Sequence, residues 1–462
     1  MSLAVTETDL AQRVLSLVPA GVEAEVSVER QELALTRFAG SYIHQNVADE
    51  ITSVRLRVHG GGRTASSSTT VVDGVEEFVR RTVASLRLAP ADPTWPGLAP
   101  ASGLQFAGEA DEETVAASPD DRAARVRAFV AQAEGLDTAG YCRTSVSRAV
   151  YANSAGQHLA AARTAAAMDG IARTSSSDGL ARLAGVRLGD IDGAVLGARA
   201  VAKALAGADP VELPPGRYEV VLESPAVADV LLMLAMYGFN AKMVLDRQSF
   251  LQVGAAQFDP SVTLVEDAGQ PDASAMPFDA EGTPRQRVVL VDRGVSAGVV
   301  HDRRTAARAG GGAVSTGHAI PGGASFGAVP SSLRLLPGDG GDGGPVTEVD
   351  GPASDSAVAA LVGGVERGLL VTDNYYTRVL DPRTLVVTGL TRNGVWLIEN
   401  GAITTPVRNF RFTQSYPQAF GPGAVLGIGS RAVEMPGPWT ETGFVAPAVR
   451  LASWNYTGGA SG

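Results

Sequence analysis

Hydrophobic and polar positions follow two periods along this chain, and the switches between them mark out its elements. Leu10, Val14 and Leu17 recur at helical spacing over residues 8–18, with Thr8 as a candidate N-cap. Three strand-like runs follow, Glu23–Val28, Leu33–Phe38 and Ile51–Val58, and then a polar strand over 64–72 introduced by Gly60-Gly61-Gly62. The triple glycine lacks the Lys-Ser/Thr and helix of a phosphate-binding loop, so it reads as a turn. Val75, Phe78, Val79, Val83 and Leu86 predict a helix over 73–86 capped by Asp73, and Val126, Phe129 and Val130 a helix over 119–134. Long alternating segments, 142–152 and 157–173, flank Asn153-Ser154-Ala155-Gly156 and predict a hairpin. An Ala-rich helix over 190–205 closes this half.

Beyond it the composition turns to strands, glycine and proline. A strand over 217–222 leads into a helix that Pro225 opens, its missing N–H costing nothing at a first turn. Val227, Val230, Leu231, Leu234 and Tyr237 form one apolar stripe, predicting a helix over 226–244. Further on come a short strand at 288–291, a Gly/Asp loop at 337–344, a helix over 357–369, and strands at 385–387 and 394–398 joined to the next by an Asn400-Gly401 turn. The order predicts an α+β protein of two domains: residues 1–207, and a β-rich, mainly antiparallel domain over 208–462.

Three stretches carry a resemblance. Residues 213–250, LPPGRYEVVLESPAVADVLLMLAMYGFNAKMVLDRQSF, look like the centre of the TldD/PmbA (TldD/TldE) family. TGLTRNG, IENG and PVRNFRF, between 388 and 412, follow its C-terminal domain, and ERQELALTRFAGSYIHQ and NSAGQ its N-terminal one, so the resemblance spans about Glu23 to Gly458. In the catalytic branch the central helix bears HExxxH: two histidines hold zinc and the glutamate acts on water. Those positions fall on Met233, Leu234 and Gly238, and the later cysteine ligand on the region of Met435, Pro436 and Gly437. None offers a zinc donor of the usual kind. The resemblance therefore implies a TldE-like, non-catalytic chain that binds no cofactor itself and pairs with a zinc-bearing, TldD-like subunit to enclose a peptide. A homodimer that grips peptide or protein without catalysis, or a role in processing a peptide-like small molecule, stays open at this level.

Composition narrows the chemistry further. The 462 residues are 45% hydrophobic and 19% charged, ordinary for a folded protein. A formal charge of −11 argues against a nucleic-acid surface. No apolar run approaches the roughly 20 residues that cross a membrane, and the N-terminus has no basic, apolar leader pattern, so a cytoplasmic location is expected. The single cysteine, Cys142, lies in an alternating strand and reads as a buried thiol. The five histidines are too scattered to pair on a helix; His318, in a Gly-rich loop, is the candidate substrate contact. Gly427-Ile428-Gly429 begins a dinucleotide-like pattern that Pro436 and Pro438 prevent from continuing as a helix. Tyr375 and Tyr376, with Trp396 and Trp439, are candidates for core packing or a partner interface.

Overall fold

The computed structural model describes residues 6–108, 110–338, 355–437 and 443–459. Two sheets organise it. The first has six strands in the order β3-β2-β1-β4-β5-β6, namely β1 Glu23–Ala39, β2 Tyr42–Gly60, β3 Arg63–Thr69, β4 Asp137–Asn153, β5 His158–Arg173 and β6 Asp178–Gly185. Helices α1 Glu7–Ser16, α2 Val75–Ser85, α3 Glu112–Val115, α4 Pro119–Val130 and α5 Gly193–Ala206 belong to the same half of the chain. The expected strands 23–28 and 33–38 are one strand. Polar Glu29-Arg30-Gln31-Glu32 does not turn, because its backbone is paired on both sides, to β2 and to β4, and its charges find cross-strand partners such as Arg30–Glu50 (2.8 Å) and Glu32–Arg148 (2.6 Å).

Capping residues shift some helix ends from the expected ones. Thr6, not Thr8, caps α1, in a capping box with Asp9. Gly74, not Asp73, occupies the N-cap of α2. Ser118 forms a capping box with Asp121 at α4, and Asp192 accepts from two amides at the start of α5. Gly193 and Gly197 let α5 lie against the backbone of α4: a Cβ on either would sit within 2.5 Å of the carbonyl oxygen of Arg125 or Phe129.

The second sheet holds eleven strands among the described residues: β7 Gly216–Leu222, β8 Leu264–Glu266, β9 Val288–Asp292, β10 Val295–Ser296, β11 Leu333–Leu335, β12 Arg367–Asp381, β13 Val386–Glu399, β14 Ala402–Pro406, β15 Phe410–Ser415, β16 Val425–Met435 and β17 Phe444–Gly459. Five of them close a ring, β7-β12-β13-β15-β17 and back to β7. Pairing is mostly antiparallel, with β7–β12 and β11–β17 parallel. Leu222, Leu369, Val371, Leu397, Phe412 and Trp454 from these strands share the largest core with the helix that follows β7.

That helix is shorter than its stripe predicts. It runs as α6 Ser224–Met233, widens into a π turn over Leu234–Gly238, and resumes as α7 Ala241–Leu245. The amide of Phe239 reaches back five residues to the carbonyl of Leu234, and buried Asn240 caps α7 while donating to the Phe326 carbonyl. An apolar stripe carries no record of such a widened turn, since Leu234 remains buried through it. Likewise α8 spans Arg303–Ala309, and the expected helix over 357–369 ends early as α9 Ser356–Val362, Arg367 already opening β12. Gly427–Ala432 lies inside strand β16, not at a strand-to-helix turn. Trp439 and most of the 337–344 loop lie outside the described residues. The boundary expected at 207/208 falls between the end of α5 and the start of β7.

Candidate functional site

A cavity of about 570 Å³ opens where one face of the first sheet meets α6, the second half of β12, the end of β16 and the start of β17. Strand register explains its sheet wall. Arg37, Tyr141, Asp169 and Arg182 stand directly opposite one another on β1, β4, β5 and β6, and Leu35 opposes Arg143 one pleat along. Side chains two apart on a strand share a face, so Leu33 and Leu35 join this wall. Helix α6 contributes Pro225, Ala228, Asp229 and Leu232, at helical spacing.

At the floor, three carboxylates share few cations. Arg182 makes ion pairs with Asp169 (3.2 Å) and Asp373 (3.3 Å), and Asn393 also donates to Asp373. Burial raises the carboxyls of both aspartates above their ordinary range. Asp229 accepts from Thr377 Oγ1 at 2.7 Å and from the Tyr416 hydroxyl at 3.4 Å. Burial pushes its carboxyl up to about 7, with the charge of Asp373 adding to the effect, so near neutrality it is shared between acid and base forms. Such a group can donate or accept a proton.

The rim is aromatic and cationic. Tyr375 and Tyr376 line the cavity, 48% and 63% exposed, with the guanidiniums of Arg392 and Arg378 stacked 4.3 and 4.2 Å from their ring centres. The core alternative for this pair is therefore excluded, whereas Trp396 is a core residue. Met435, Pro436 and Gly437, in the region that matches the expected cysteine ligand, line the same cavity. Met233 and Leu234 do not; both are buried in the core of the second sheet. Gly238 faces the ring of Phe250, 3.2 Å from where a Cβ would stand. Zinc does not fit the side chains at these positions: a thioether and an alkyl group stand on the helix, and among the described residues no group of three His, Cys, Asp or Glu side chains is placed to hold a metal ion.

His318 lies away from this cavity. Its side chain is fully buried, Nε2 3.2 Å from Glu266 Oε1 and Nδ1 2.9 Å from Thr316 Oγ1, and burial lowers its pKa. The expected substrate contact is thus an internal link of a loop to β8. Cys142 is buried on β4, its thiol pushed up to about 12 by burial. Asp229, Asp373, Arg182 and Arg143 were not anticipated. Asp229 had a signal: it is the sole charge between Glu223 and Lys242.

Sequence comparison decides the family. The pattern of the PmbA/TldA metallopeptidase C-terminal domain matches residues 215–458, and that of domain 1 matches 24–86. The chain belongs to the PmbA/TldD family. Among solved structures, TldE from Thermococcus kodakarensis matches with a TM-score of 0.81 at 17% identity, over 98% of this chain and 99% of that one. A Thermotoga maritima protein carrying the label of DNA gyrase modulator gives 0.81 at 17%, over 98% and 100%. These likenesses show a PmbA/TldD fold over nearly the whole chain. A curated metalloprotease of Archaeoglobus fulgidus is 33% identical over 101 residues, and the match spans 24% of that protein's length. Among the described residues no helix is long and apolar enough to cross a membrane.

Proposed function

We propose that this chain is a TldE-like subunit that binds no zinc itself and pairs, in the cytoplasm, with an HExxxH-bearing, TldD-like chain to enclose and hold a peptide. One observation carries the reading. The helix and the β16–β17 approach that bear zinc ligands in the catalytic branch flank a cavity here whose lining, with Ala228, Asp229, Leu232, Met435 and Pro436 on this side, holds neither histidine nor cysteine among the described residues. A cavity without histidine or cysteine suits a chain that binds substrate and leaves polarisation of the scissile carbonyl to a partner's metal. Tyr and Arg side chains on its rim suit a partner or an extended peptide. The test is peptide hydrolysis by this chain, by an HExxxH-bearing relative from the same organism, and by the two mixed. Activity in the mixture well above either alone, abolished by a chelator, supports the proposal. Cleavage by this chain alone, or a mixture no better than its components, overturns it.

A further inference from the structure

Two arginines of the cavity, Arg37 and Arg143, have no carboxylate within ion-pair distance among the described residues. Asp169 and Asp373 are occupied by Arg182, and Asp229 takes two hydroxyl donors. Arg143 is half-buried on the wall and makes neither a hydrogen bond nor an ion pair; its guanidinium lies over the Tyr141 ring, 5.9 Å from the centroid, and its charge reaches Asp169 diagonally across the strands. Arg37, opposite Tyr141 and diagonal to Arg143, is likewise unpaired on the rim. Asn374 lines the same cavity at 7% exposure, and its amide nitrogen is buried with no acceptor. Guanidinium offers donors and no acceptor, and an unpartnered buried amide donor is costly, so these three cavity-lining side chains carry donors that the protein's own acceptors leave unused.

The geometry points to a carboxylate site: we propose that Arg143, with Arg37 and the Asn374 amide, receives the C-terminal carboxylate of a peptide. The fork of an arginine matches the two oxygens of a carboxylate. Apolar Leu33, Leu35 and Leu232 beside it suit a terminal apolar side chain. A volume of about 570 Å³ is that of a small-ligand pocket, enough for a chain end. The inference rests on the peptide-holding reading above and specifies which part of the peptide this chain holds.

The probe is a nonapeptide ending in Leu-Phe, fluorescent at its N-terminus, made as the free acid and as the C-terminal amide, with N-acetyl-phenylalanine and its amide as small competitors. Anisotropy with the full chain is expected to show the acid binding roughly 10- to 100-fold more tightly, the range of a charge-assisted hydrogen-bond pair. Arg143→Gln should erase that preference and Arg143→Lys recover part of it, while amide binding stays unchanged. Equal affinity for acid and amide peptides leaves peptide holding intact and overturns the carboxylate site. Acetyl-phenylalanine binding without either peptide keeps the carboxylate site and overturns peptide holding. Binding of no probe overturns both.

Discussion

Lys203 and Glu223 provide the sharpest test of how the two halves are joined. Lys203 sits on α5 and Glu223 at the N-cap of α6, the helix that floors the cavity. Their side chains are 7% and 8% exposed, and Nζ donates to both carboxylate oxygens, at 2.7 and 2.9 Å. Burial lowers the lysine pKa while the glutamate pulls it back up. Lys203→Met removes the cation, keeps most of the stem, and leaves a carboxylate in a site closed to water. Breaking a buried pair from one side costs about 3–5 kcal/mol, most of it the stranded charge. For a unit of the size of the C-terminal half, that is a fall in Tm of roughly 10 °C. Lys203→Met combined with Glu223→Leu removes both charges and should recover most of the loss, since an apolar replacement of a buried pair is often close to neutral. The assay is calorimetric unfolding of wild type, both single variants and the double variant. A double variant as unstable as the summed singles would refute the reasoning, as would a Lys203→Met variant within about 0.5 kcal/mol of wild type, the level of an ordinary surface change.

Two further outcomes follow from the site. Because the Asp229 carboxyl is raised to about 7, the native state holds its proton where the unfolded chain releases it; its contribution is full below the unfolded pKa near 4 and is lost as pH rises through 7. Denaturant unfolding at a series of pH values should show wild type losing stability relative to Asp229→Asn by up to about 1.4 kcal/mol per pH unit across that window, and a difference that stays flat there removes Asp229 as the cause. Restoring Met233→His, Leu234→Glu and Gly238→His together should yield no zinc-dependent peptidase: the cysteine position remains unfilled, Leu234 is 1% exposed in an apolar core, and a Cβ at Gly238 meets Phe250. Chelator-sensitive cleavage by that triple variant alone would contradict this, and a Tm at or above wild type would contradict the placement of Leu234.

What the sequence disclosed and what it withheld divide along a physical line. Period-two and period-3.6 patterns report which face is buried, so the β4–β5 hairpin around 153–156, the β7–α6 connection and the Asn400-Gly401 turn were legible. Pattern is blind where a polar run is paired on both edges, as at Glu29–Glu32, and where a helix changes pitch without changing its buried side, as at Leu234–Gly238. The motif positions told what the helix lacks, yet not which residues face the cavity. Asp229 lines the cavity while Met233, one turn on at the end of α6, is buried in the core, and the partners of Asp229, Thr377, Asp373 and Arg182, come from 148, 144 and 47 positions away in the chain.

The same distance explains why His318 looked suitable. A histidine in a glycine-rich loop has the composition of a substrate contact, but its partner, Glu266, lies 52 residues earlier and draws it inside. The cavity, by contrast, is built where strand register lines up Arg37, Tyr141, Asp169 and Arg182 across four strands, a row that no local window of sequence contains. The positions aligned with the motif, Met233, Leu234 and Gly238, are a few side chains at the end of α6 and in the π turn that follows it. Losing the cavity would require that row and the helix to part. Changes at those positions would therefore leave the pocket standing, and its wall carries two arginines, Arg37 and Arg143, without an ion-pair partner among the described residues.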